Sequence, residues 1–178
     1  EGGAIRTGSI GAGRLRDLFI LPDGQVLRVL QHHVELTDLG MVNVTARFAH
    51  HAYGMGRVTL SADGASFAVV NSRTGVERWD IASRARTSRW ILSERLGSRA
   101  RLSPDLSRMA VYDGNAIVLL DSADGTELGR LDWPSESGRA QFAFSHDNAQ
   151  LFASRVRNLA ADGDPGVFER VAELWDLD

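Results

Sequence analysis

Short runs in which apolar and polar positions alternate recur along the chain, and each breaks at a cluster of Pro, Asp, Gly or Asn. The clearest breaks are LPDG around Asp23, SADG around Asp63, SPDL around Asp105 and SHDN around Asp147, whose aspartates lie 40, 42 and 42 residues apart. Three and five residues before them stand Ile20 and Leu18, Leu60 and Val58, Leu102 and Ala100, Phe144 and Phe142. Four and six residues after them stand Leu27 and Val29, Phe67 and Val69, Met109 and Val111, Leu151 and Ala153. Spacing of two on both sides of a tight turn predicts a hairpin of two strands, each burying one face, in the same register in all four units.

Each unit then carries a third alternating run closed by an aspartate: VELTD to Asp38, VERWD to Asp80, IVLLD to Asp121 and AELWD to Asp176. A fourth run follows in three of them, in MVNVTARF, RARTSRWIL and TELGRLDW. In the last unit the segment VRNLAADGDPGVFER, residues 156 to 170, lengthens the connection between the second and third strands. Repeats come before any single-element assignment, because a missed period misreads the whole fold.

Four short strands per unit at this period, with Trp79/Asp80 and Trp175/Asp176 closing third strands, resemble the WD-repeat β-propeller family. The resemblance implies an all-β chain of about four blades of four antiparallel strands, part or half of a larger ring. The blade repeats are expected over residues 14–48, 57–92, 99–133 and 139–178, within one propeller segment over residues 1–178. Residues 1–10, with GGAIRTGSI, are expected to supply the outer strand of a split blade, since the last unit ends at AELWDLD. Strand alternation assigns the tryptophans to packing between sheets and the following aspartates to turns.

Composition narrows the chemistry. A net charge of −3 argues against a general nucleic-acid or anionic-membrane binder. All 20 basic residues are arginine, as codon bias in a GC-rich genome would give, and there is no lysine for a Schiff base or a phosphate-binding loop. Cysteine is absent too, which removes disulfides, thiolate catalysis and cysteine metal sites. No run of about eighteen apolar residues offers a membrane span, and no signal-peptide core opens the chain, so a cytoplasmic location is expected.

The resemblance places the residue six before each turn aspartate at the start of an inner strand, near one mouth of the central channel. These are Asp17, Arg57, Arg99 and Gln141, with Arg101 two residues beyond Arg99 on the same face. Such a ring suits an acidic peptide or a small anion; solvated strand ends are the alternative. In the insertion, Asp162 and Asp164 faintly echo a calcium loop but lack its remaining ligands, and an ordinary hairpin flanked by Arg157 and Arg170 is the expectation. The adjacent histidines His32/His33 and His50/His51 point to opposite faces of a strand and make no metal site. GSIGAG does not match the dinucleotide fingerprint, and no nucleophile elbow is present.

The expected function is therefore a non-catalytic protein-binding or scaffolding module, the sensory or docking part of a larger bacterial signalling or effector protein. No cofactor or metal is expected. The expected partner is another protein or further blades, with a homodimer closing an eight-bladed ring as one form. Part of a propeller enzyme with a cofactor or metal on the channel axis is the alternative.

Overall fold

Polypeptide whose apolar residues alternate in such short runs buries them best as stacked sheets. The computed structural model describes residues 14–50, 56–71, 75–92, 100–133, 141–158 and 168–177. Among the described residues there is no helix, and four antiparallel sheets follow one another along the chain. Sheet 1 contains β1 (Leu15–Ile20), β2 (Val26–Leu30), β3 (His33–Thr37) and β4 (Val44–His50). Sheet 2 contains β5 (Arg57–Leu60), β6 (Ser66–Asn71), β7 (Gly75–Asp80) and β8 (Arg86–Trp90). Sheet 3 contains β9 (Ala100–Leu102), β10 (Arg108–Tyr112), β11 (Ala116–Asp121) and β12 (Glu127–Asp132). Sheet 4 has three strands, β13 (Gln141–Phe144), β14 (Gln150–Asn158) and β15 (Phe168–Asp176). The proposed strand over residues 1–10 lies outside the described residues.

The four turn aspartates do one job. The residue after each has a left-handed backbone: Gly24 at φ 83°, Gly64 at 71°, Leu106 at 61° and Asn148 at 63°. Glycine and asparagine adopt this conformation easily; leucine does not, and Leu106 is held there by a side chain that is completely buried. In the last three sheets a serine hydroxyl donates to the aspartate, Ser61 to Asp63 and Ser103 to Asp105 at 2.6 Å, and Ser145 to Asp147 at 2.5 Å. These hydroxyls and the backbone N–H groups of Ala65 and Ala149 hold the Asp63 and Asp147 carboxyls below their ordinary range. They act as turn residues in a fixed ionised form.

The first turn departs from the common register. Leu21 N–H reaches the Gln25 carbonyl, whereas Ser61, Ser103 and Ser145 reach Ser66, Arg108 and Gln150, one residue farther on. Ile20 consequently pairs with Val26, while Leu60 pairs with Phe67, Leu102 with Met109 and Phe144 with Leu151. Leu27 and Val29 thus lie on the opposite sheet face from Phe67 and Val69, which corrects the expectation of one register in all units. A one-residue slip exchanges the two faces of a strand.

The slip decides the packing. Leu27, Val29, Val34, Leu36 and Phe48 of sheet 1 pack on Val58, Phe67 and Val69 of sheet 2. The other face of sheet 2, with Ala68, Val70 and Val76, packs on Leu102, Met109 and Val111. Sheet 3 repeats this with Ala110, Tyr112, Ile117 and Leu119 against Phe142, Leu151 and Ala153. The tryptophans lie at these junctions: Trp79 at the first, Trp90 at the second, and Trp133 against Trp175 at the third, centroids 5.1 Å apart.

Turned away from sheet 2, the outer face of sheet 1 carries a buried ion cluster. Glu35 accepts from Arg28 at 2.5 Å, His33 at 2.9 Å and Arg47 at 3.0 Å. Burial raises the Glu35 carboxyl, but the hydrogen bonds from His33, Arg28 and Arg47 outweigh it and the net shift is downward. Glu77 in sheet 2 holds the same ladder position, opposite Val69 as Glu35 is opposite Arg28. It is bordered by Arg86 and Arg89.

Candidate functional site

The inner strands β1, β5, β9 and β13 begin at one end of the sheet stack, and their first residues set what that end presents. Asp17 pairs with Val29, Arg57 with Val70 and Gln141 with Ser154, equivalent ladder positions in sheets 1, 2 and 4. The first-turn slip leaves them aligned, because it falls after the inner strand. All three are exposed. Arg99, assigned to the same set, lies outside the described residues.

Gly56 brings the chain into β5. A Cβ there would sit 1.8 Å from the Val70 carbonyl oxygen, so only glycine lets Arg57 start the ladder. Arg101, opposite Ala110, is half-buried. Its Nη1 donates to the Ala100 carbonyl at 2.8 Å, and its guanidinium lies 5.9 Å from the centroid of the Phe142 ring in the next sheet. Burial lowers the Arg101 pKa first, and the positive charge of Arg57 lowers it further. The two positive charges thus act on one another, and among the described residues neither forms an ion pair with a carboxylate. Asp17 forms no ion pair with either; its Oδ1 accepts from the backbone N–H of Leu18 at 3.0 Å.

At the same strand ends lies a pocket of about 460 Å³ lined by Arg14, Leu15, Arg16 and Gln31. The sequence reading missed Arg14 and Arg16. Their alternation just before Asp17 was the available signal, since alternate residues of a strand share a face.

The insertion forms a long hairpin. β14 and β15 continue their ladder to Asn158 opposite Phe168, with Arg157 opposite Glu169 and Arg170 opposite Val156. Asp162 and Asp164 lie outside the described residues. Among the described residues no three His, Asp or Glu side chains gather closely enough to hold a metal ion, and no helix is long and apolar enough to cross a membrane.

No family profile and no curated protein matches this chain. Solved structures do. The C-terminal WD40 domain of Sif2 superposes with a TM-score of 0.59 at 13% identity, over 81% of this chain and 44% of that one. A eukaryotic initiation factor superposes with a TM-score of 0.56 at 11% identity, over 98% of this chain and 44% of that one. The chain thus spans less than half the length of either structure. At such identities the likeness shows the fold, which is that of WD-repeat β-propeller blades.

Proposed function

From the WD-propeller fold of this chain, we propose that it is a non-catalytic docking module, which receives an acidic segment of a partner protein where the inner strands begin. The observation that carries the reading is the exposed Arg57 at the start of β5 together with the half-buried Arg101 guanidinium seated over Phe142, two positive charges without an ion-pair partner among the described residues. An acidic side chain entering there relieves their repulsion, and guanidinium forks match carboxylates in two-point contact. Arg14 and Arg16 extend the basic surface at the same strand ends.

The test is fluorescence anisotropy with a labelled octapeptide of alternating Asp and Glu. Wild-type chain is expected to bind it with an affinity that falls steeply as salt rises. Arg57→Glu/Arg101→Glu is expected to weaken binding by at least about tenfold. Equal affinity in the variant removes this surface from the account.

The same reading includes completion of the stack by a second copy. Phe152 is 46% exposed and its cross-strand partner Leu174 is 59% exposed, on the face of sheet 4 turned away from sheet 3. In sheets 2 and 3 the corresponding face is covered by the next sheet. On sheet 1 the outer face is already covered within the chain, with Val26, Arg28, Leu30, Glu35 and Thr37 each 5% exposed or less, so the open face of sheet 4 is the one left for a second copy, whose four sheets would bring the total to eight.

A further inference from the structure

Among the described residues, sheet 4 is one strand short of its neighbours: β3, β7 and β11 each have a fourth strand beside them, and β15 has none. One ladder position shows what that strand supplies. Glu35 lies opposite Arg47 of β4, and Glu77 opposite Arg89 of β8. Both glutamates are buried, and these arginines pair with them at 3.0 and 3.4 Å. In sheet 3 the position is Val118, opposite Arg130. In sheet 4 it is Glu173, opposite Ala153 as Glu77 is opposite Val69. Glu173 is exposed and forms no ion pair among the described residues. The strand that completes sheet 4 is thus one that sets an arginine opposite Glu173.

Spacing along the chain identifies such a strand. Arg47 and Arg89 stand ten residues before Arg57 and Arg99, and Arg130 stands eleven before Gln141. Arg6 stands eleven before Asp17, which holds the equivalent ladder position in sheet 1. Each fourth strand leads into the next sheet, β4 into β5, β8 into β9 and β12 into β13, so a strand around Arg6 belongs to a sheet that precedes sheet 1. Sheet 4 of the same chain is out of its reach. Three sheet junctions of about 10 Å separate it from sheet 1, at least about 30 Å in all. A strand that ends one residue past its arginine, as β8 does at Trp90, leaves residues 8–14 as the connector, which spans about 25 Å fully extended.

We infer that two copies of this chain exchange residues 1–10, the segment around Arg6 of one copy adding to the β15 edge of the other as an antiparallel fourth strand, with Arg6 opposite Glu173. The inference rests on the second-copy reading above and specifies its contact. The register is that of β8, where Arg89 is opposite Glu77 and Ser88 opposite Arg78, so Ile5 falls opposite Leu174. The added strand pairs the open backbone edge of β15, brings a cation to Glu173 and lays Ile5 against a leucine that is 59% exposed.

The experiment is complementation between charge-reversed full chains, read as the dimer dissociation constant by sedimentation over a dilution series. Arg6→Glu and Glu173→Arg, each alone, set like charges opposite one another at both contacts of the dimer, and each is expected to weaken it at least about tenfold. An equimolar mixture of the two is expected to return to within about threefold of wild type, because both contacts of the mixed dimer join opposite charges. Mixing cannot restore a contact made within one chain. Should either variant not fold alone, Ile5→Cys/Leu174→Cys in this cysteine-free chain decides: oxidation is expected to give a covalent dimer, and a crosslinked monomer or no crosslink overturns the inference. A wild-type dimer that neither reversal weakens, or weakening without recovery on mixing, overturns the exchange and leaves the second-copy reading standing. A wild-type chain that is monomeric at every concentration overturns both.

Discussion

Replacing Phe67 by alanine is expected to lower the unfolding free energy by about 3–5 kcal/mol, the usual cost of emptying a closed aromatic site. Phe67 has no exposed surface. Its ring meets Phe48 of sheet 1 edge-on at 5.3 Å and lies parallel to Trp79 at 6.4 Å. The hole would open between two sheets whose backbones are fixed by their own ladders, and neither can move in to fill it. Urea unfolding checks the value against Val42→Ala in the exposed turn before β4, which is expected to cost under about 1 kcal/mol. Equal costs for the two would mean that sheets 1 and 2 do not share this core.

The second large effect is expected at Glu35. Glu35→Leu leaves Arg28, with a side chain only 5% exposed, as a buried cation without its carboxylate, at a cost of about 3–5 kcal/mol. The double variant Arg28→Met/Glu35→Leu is expected to recover most of that loss. A buried pair replaced as a whole by apolar side chains avoids desolvating either charge, and Arg28 Nε has no hydrogen-bond partner to lose. Thermal melts of wild type, both single variants and the double variant close the cycle. A double variant as unstable as Glu35→Leu would contradict this account of the cluster.

How far the sequence could be read follows from where its patterns are unambiguous. The hairpins were legible because each turn aspartate sits in a cluster with Pro, Gly or Asn flanked by paired apolar positions, whereas the left-handed backbone of Leu106 was not. Third strands were legible from Trp79/Asp80 and Trp175/Asp176, since both tryptophans pack partly buried at a sheet junction and both aspartates end a strand. The register of sheet 1 was not. Its β2, VLRVL, is buried at all five positions, so alternation is silent about which face is which. Arg28 and Glu35 pair in the β2–β3 ladder, which the shortened β1–β2 turn leaves unchanged, so they do not reveal the slip.

The candidate site divides the same way. Asp17, Arg57 and Gln141 could be aligned because the slip falls beyond them. The seating of Arg101 over Phe142 depends on how sheet 3 meets sheet 4, which no local pattern encodes.

The proposal that reaches furthest beyond the fold is that a second copy of this chain covers the open face of sheet 4. Light scattering across a dilution series tests it most directly. The account predicts a mass near twice 19.4 kDa for wild type and a monomer for Phe152→Asp/Leu174→Asp, whose changes lie on the open face of sheet 4. A wild-type mass that stays at 19.4 kDa at every concentration, or a dimer that survives both aspartates, would contradict it.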